Sequence, residues 1–218
     1  MKNSVEYILS IPQPVSHEVE LTMTIRDVDD DHIDLSLPAW SPGSCKIRDY
    51  ARNVVAFDAN GPWQKISKDT WRIDTRRRRT LVVRYRIYAF ELGVRSSHVD
   101  DSHAHLNGPS LFLYARGMKE HPVTLRFRLP RGWRIATSLD ALPGKATTFT
   151  APSYDVLTDC PIETGKFLLK SFRYRGKEHR WVIHGAGNYD VARLVRETRK
   201  IVDAAVAMFG DIPYRHYT

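Results

Sequence analysis

The sequence predicts a mainly β protein: an antiparallel β-sandwich or saddle over residues 1–166, followed over 167–218 by the opening strand hairpin and helix of a second, truncated α+β domain. Three observations point there. From Val5 to Glu91 apolar and polar residues mostly alternate, the period of a strand with one buried face. Turn pairs such as Gly61-Pro62 and Asn107-Gly108-Pro109 punctuate the chain. Helical spacing is convincing only once, over 189–209, near the end.

Taken in order, Val5, Tyr7, Leu9 and Ile11 mark the first strand. Val19, Leu21, Met23 and Ile25 share one face of the second, and Ile33, Leu35 and Leu37 share one face of the third. Pro38 to Ser44 reads as a loop, and Val54–Phe57, Trp71–Ile73 and Leu81–Phe90 as further strands. The apolar run Leu111 to Tyr114 reads as a buried strand. Val123–Leu129 alternates again, and Ile135 and Phe149 mark short strands. Trp40, Trp71, Trp133 and Tyr114 are expected in the core. Residues 154–165 show no clear period. Phe167–Tyr174 and Lys177–His184 form a hairpin across Arg175-Gly176. The helix follows, with Asn188 as N-cap, Asp190 in its first turn and Gly210 as its stop. Its apolar stripe is expected to lie back on the strands at Leu168 and Trp181 or to pair with another copy.

Composition narrows the class. The 218 residues are 42% hydrophobic and 11% aromatic, enough for one large domain or one domain plus part of another. No apolar run approaches the roughly 18 residues of a spanning helix. The N-terminus reads as a strand rather than a signal peptide, so no membrane is expected. Two cysteines, Cys45 and Cys160, are expected as free thiols of a cytoplasmic protein. The net charge of +8 raises the prior for acidic partners only modestly.

The arginines have a plainer use. Arg76 to Arg79 reads as a basic hairpin turn, and Arg-aromatic-Arg recurs at 84–86, 126–128 and 173–175. Stacking aromatics beside arginines would suit a nucleic acid. In a strand, however, the aromatic faces one way and both arginines the other, so they cannot grip one ligand together. A solvated outer face fits better, and no nucleic-acid partner is expected.

Polar chemistry concentrates between Ser97 and Asn107, where His98, Asp100, Asp101, His103 and His105 fall within eight residues. A loop held against a core strand can present working groups. The plainer reading is a solvated loop, since turns favour such residues. His103 and His105 could face one way and hold a metal with Asp101, but without a defined ligand frame no metal ligand is expected. The chain has no His-Glu-x-x-His, no nucleophile elbow, no phosphate-binding glycine loop and no Cys-x-x-Cys, so no catalytic residue is assigned and the chain alone is expected to be inactive.

Six ordered blocks resemble one family: Leu37–Ser44, Ile47–Arg52, Arg95–His103, Asn107–Tyr114, Tyr154-Asp155 through Pro161 and Gly165, and Gly187–Asp190. Their order and spacing are similar to the N-terminal region of the glycyl aminopeptidase family, PDZ-containing zinc metallopeptidases related to aminopeptidase N. The resemblance implies a β domain followed by a thermolysin-like catalytic domain, of which 167–218 would be the start, and then a PDZ domain. It implies zinc in the parent protein, no cofactor in this stretch, and removal of N-terminal glycine or other small residues. The partners it implies are a peptide N-terminus and the protein's own catalytic and PDZ domains. By analogy with related aminopeptidases, the β domain closes one side of the cleft and holds the substrate amine. His98, Asp100, Asp101, His103 and Asn107 would then bind substrate, with the two aspartates facing the ammonium. The chain departs from the pattern at Cys45 and His105, where an aromatic is expected, and at Cys160, where serine is. The departure at His105 argues against it as a ligand. The alternative is a free-standing β-sandwich module binding carbohydrate or an acidic polymer.

Overall fold

The computed structural model describes residues 4–76 and 78–218, so Met1–Asn3 of the expected first strand and Arg77 of the basic run lie outside the described residues. In chain order the elements are β1 (Val5–Ser10), β2 (Glu18–Arg26), β3 (His32–Ser36), β4 (Val54–Ala59), β5 (Trp63–Ser67), β6 (Thr70–Asp74), β7 (Thr80–Tyr88), β8 (His98–Val99), β9 (His103–Leu106), β10 (Tyr114–Ala115), β11 (Val123–Arg128), β12 (Arg134–Thr137), β13 (Asp140–Ala141), β14 (Thr148–Ala151), α1 (Tyr154–Asp159), β15 (Ile162–Gly165), β16 (Leu168–Tyr174), β17 (Lys177–Ile183), α2 (Val191–Phe209) and β18 (His216–Tyr217). The protein is mainly β, as the alternation predicts. It divides into two compact units, one ending at Gly165 and the other beginning at Lys166.

The first unit is sandwich-like. A large sheet runs β13-β14-β11-β1-β2-β7-β4, and two four-stranded sheets run β10-β3-β6-β5 and β12-β15-β9-β8. Pairing is antiparallel except between β1 and β11, which run parallel. One contiguous core joins the inward residues of all three sheets, among them Leu9, Leu21, Tyr85, Leu35, Ile73 and Leu106. Their polar neighbours face outward because successive strand residues point to opposite faces. The arginine triplets follow the same rule: Tyr85 and Phe127 are buried, while Arg84, Arg86 and Arg128 are exposed.

The structure corrects several expectations. Trp71 is buried, and Trp133 and Tyr114 pack half-buried against the core, but Trp40 is 48% exposed, its indole N–H donating to the Ser44 carbonyl. The strands on either side of the basic run are not a hairpin pair: β6 lies in one sheet and β7 in another. Leu111, Phe112 and Leu113 are fully buried but only Tyr114 enters a strand. Tyrosine hydroxyls replace the missing strand partners. Tyr7, Tyr85 and Tyr154 donate to the carbonyls of Leu113, Leu111 and Phe112 at 2.5, 3.0 and 2.7 Å. The stretch 154–165 contains α1, capped by the Ser153 hydroxyl on the Val156 N–H, and then β15.

In the second unit, β16 and β17 form a hairpin whose turn, Arg175-Gly176, has φ of 47° and 78° at its two central residues. That is the backbone twist a two-residue hairpin favours. β18 adds in parallel beside β17. The N-cap of α2 is Asp190, not Asn188: its carboxylate accepts the Arg193 N–H at 3.0 Å. Gly210 closes the helix in the left-handed region. The helix meets the hairpin through Trp181, whose indole N–H donates to Thr198 Oγ1 at 3.0 Å, and through Arg199, which lies over the Phe172 ring. Leu168 stays exposed. Among the described residues no helix is long and apolar enough to cross a membrane.

Candidate functional site

The histidine-rich stretch is a tight hairpin, not an open loop. β8 pairs with β9 through His98 opposite His105 and Val99 opposite Ala104. Asp100 makes the turn. Its Oδ1 accepts from the Ser102 N–H (2.8 Å), the Ser102 hydroxyl (2.6 Å) and the His103 N–H (3.0 Å), while its own N–H donates to the His103 carbonyl (3.0 Å). A short acidic side chain that folds back on the backbone two or three residues on is the usual way aspartate stabilises such turns.

β9 is flanked on its other side by β15, with Glu163 opposite His105 and Gly165 opposite His103. Alternate residues of one strand and directly opposed residues of its neighbours share a face. His98, His103, His105 and Glu163 therefore converge. The Glu163 carboxylate bridges two imidazoles, meeting His103 Nδ1 at 2.7 Å and His105 Nδ1 at 3.2 Å. On the other side of the His103 ring, Asp100 Oδ2 lies 3.7 Å from His103 Nε2 and 3.2 Å from His98 Nε2. His98 is itself stacked on Phe90, with ring centroids 5.0 Å apart, and His17 lies tilted against Phe90, at 3.8 Å.

The electrostatics agree across the cluster. Burial pushes the Asp100 carboxyl up, but donation from Ser102, the His103 N–H and His98 outweighs it and holds the group well below the usual carboxylate range. Glu163 is likewise held down by its two histidines against the effect of burial. The hydrogen bond to Glu163 raises His103 above an ordinary histidine despite burial. An imidazolium here would sit between two carboxylates.

The five sequence-derived site residues are thus distributed unequally. His98, Asp100 and His103 come together. Asp101 is exposed at the hairpin turn. Asn107 is buried, its side-chain amide donating to the Arg95 carbonyl at 3.0 Å and its backbone N–H to Ser97 Oγ at 3.0 Å. Glu163 was not singled out from sequence. It is 60 residues from His103, and nothing local in Ile162–Gly165 announces that register. An open cleft lined by Asp31, Trp63, Arg72 and Arg76 lies along β5 and β6, but Arg72 and Arg76 are already paired with Asp34 and Asp74.

The first unit is thus a sandwich-like β unit that carries a half-buried carboxylate–imidazole cluster. Residues 6–166 match the Peptidase M61 N-terminal domain, and the chain belongs to that family. An aminopeptidase N family protein from Idiomarina loihiensis is similar over 98% of this chain, at 28% identity and a TM-score of 0.90. An M1 zinc metallopeptidase from Deinococcus radiodurans, solved with a Tyr-Ser-Ala substrate, shares the fold at 15% identity and a TM-score of 0.56 over 99% of this chain. The chain spans 38% of the first of these and 55% of the second. No curated protein matches the sequence.

Proposed function

We propose that this chain is the non-catalytic N-terminal β domain of a cytoplasmic zinc aminopeptidase of the glycyl-aminopeptidase type. The observation that carries the reading is the likeness to the Idiomarina aminopeptidase N family protein: nearly all of this chain superposes, on little more than a third of that one. On this reading the zinc ligands and general base belong to a thermolysin-like catalytic domain, with a PDZ domain beyond it, since the chain has no His-Glu-x-x-His to hold that metal. The domain closes one side of the cleft and meets the free amine of a peptide whose first residue is small. The His98–Asn107 stretch suits that task because the Asp100 carboxyl is held well below its ordinary range and an ammonium needs negative charge and acceptors. Two unpaired cysteines accord with a reducing compartment.

The test uses the full-length gene product and glycyl-anilide substrates. Asp101 is exposed, so Asp101→Asn leaves the fold alone. It is expected to raise KM several-fold while kcat changes little, the signature of lost ground-state binding. An N-acetylated substrate is expected to show no such difference. An unchanged KM in Asp101→Asn and in Asp100→Asn alike would remove the amine-anchor role. Absence of any aminopeptidase activity in the full-length protein would remove the parent assignment.

A further inference from the structure

We propose that His98 Nε2, Asp100 Oδ2 and His103 Nε2 form a three-ligand site for a divalent metal ion of the zinc class, with Glu163 as the carboxylate that orients His103. The site concerns this chain alone, whether or not the hairpin meets a substrate.

The geometry comes first. The three ligand atoms all lie within 4.8 Å of one another, with Asp100 Oδ2 at 3.2 Å from one imidazole nitrogen and 3.7 Å from the other. Ligands about 2.0–2.1 Å from a tetrahedral zinc are separated by about 3.3 Å, close to both of the carboxylate–imidazole distances here. Two imidazoles and a carboxylate are a donor set of borderline softness. They suit zinc over calcium or magnesium, which prefer oxygen throughout. Three protein ligands leave a coordination position open.

Preorganisation comes second, because each ligand is held by a neighbouring group. Asp100 Oδ1 is occupied by three donors from Ser102 and His103, which leaves Oδ2 as the outward oxygen. His103 gives its Nδ1 to Glu163 at 2.7 Å, so Nε2 faces Asp100. A carboxylate on the opposite ring nitrogen is the arrangement that fixes tautomer and direction in metal-bound histidines. His98 is clamped by the stack with Phe90, and its Nδ1 is buried without a hydrogen-bond partner, so Nε2 is the ring's polar handle. A β-hairpin with a central strand thereby supplies the rigid frame that the spacing of the histidines alone does not. Access is open at the carboxylate: the Asp100 side chain is 30% exposed while the His98 and His103 rings are 12% and 11% exposed.

The test is metal binding to the purified chain, freed of metal by chelator and desalted. In competition with a chromophoric zinc indicator, one equivalent is expected to bind saturably. His98→Asn and His103→Asn are each expected to weaken binding at least about 100-fold, and Glu163→Gln about 10- to 100-fold. Loss of His103 could loosen the β9–β15 pairing, so a second readout uses no variant. Cobalt added to the wild-type chain is expected to give the intense visible absorption of a low-coordinate nitrogen–oxygen site, at one equivalent. The proposal is overturned if zinc binding does not saturate, if it survives in the His98→Asn/His103→Asn double variant, or if the cobalt spectrum stays that of the aqueous ion.

Discussion

The phenol oxygen of Tyr85 accepts the backbone N–H of Leu113 at 3.2 Å while donating its proton to the carbonyl of Leu111 at 3.0 Å. One side chain thus serves two backbone groups of a buried segment that is not itself in a strand. Tyr7, by comparison, serves a single carbonyl, that of Leu113. A buried backbone group left without a partner costs about 1–3 kcal/mol. Tyr85→Phe is therefore expected to lower unfolding stability about twice as much as Tyr7→Phe, both read as shifts of the urea midpoint. Equal losses would mean that the Leu111–Leu113 backbone finds other partners.

Gly165 makes the close approach of β15 to β9 possible. It sits opposite His103 with φ of +133°, and a Cβ built there would lie 2.7 Å from both His103 Cα and the Ser102 carbonyl oxygen. Every obstacle is backbone or the root of a side chain, so none can swing away. Gly165→Ala is expected to destabilise the first unit by about 2 kcal/mol or more, from conformational strain and overlap together. It is also expected to part His103 from Glu163. Thermal melts report the first effect, and the histidine ring resonances in NMR spectra report the second. A variant as stable as the parent, with unmoved His103 resonances, would contradict this.

What the sequence shows, and what it hides, follows from which contacts are local. The strands β1, β2 and β7 are legible because each keeps one face in the core without interruption. β5 gives no such signal: all five of its residues are exposed, so no alternation marks it. The run Leu111–Tyr114 announces burial correctly, but burial alone does not specify a strand. Its carbonyls are met by hydroxyls supplied by Tyr7, Tyr85 and Tyr154, far away in sequence, while the Leu111 and Phe112 N–H groups turn back to the Gly108 carbonyl. Trp40 is apolar in kind yet exposed, with its indole N–H bonded to the Ser44 carbonyl of its own loop. At the site, the density of His and Asp is visible in the sequence. The selection among them is not, since it depends on strand alternation and on Glu163 arriving across β15.

The two thiols are expected to differ sharply in reactivity. Cys45 is exposed, whereas burial pushes the Cys160 thiol up to about 11. The thiolate is the nucleophile, so at pH 8 a thiol of that pKa is ionised to only about one part in a thousand. Iodoacetamide at pH 8 is expected to modify one equivalent quickly, and Cys45→Ser to abolish that phase. The rate at Cys160 is expected to keep rising up to about pH 11. Two equally fast equivalents at pH 8 would show that Cys160 is not shielded.

The pair Asp34–Arg72 gives the first unit a defined sensitivity to acid. The two residues face each other across β3 and β6, and the guanidinium donates twice to the carboxylate, at 2.7 and 2.8 Å. Those bonds, acting against partial burial, lower the Asp34 carboxyl below its ordinary value. The sign follows from linkage. A carboxyl whose pKa is lower when folded contributes stability above its unfolded pKa of about 3.9, and that contribution is lost as pH falls through the folded value. The Arg72 side chain is 41% exposed, which screens the pair and limits its worth to about 1 kcal/mol. Asp34→Asn keeps the shape and one acceptor but removes the titration. The variant is expected to be less stable than the parent at pH 7 by up to that amount, and the gap is expected to close as pH approaches 2. Other carboxylates titrate in the same range, so the difference between the two proteins, not the parent's own acid curve, is what reads Asp34. A gap that stays constant from pH 7 to pH 2 would show that the Asp34 carboxylate gains nothing from Arg72.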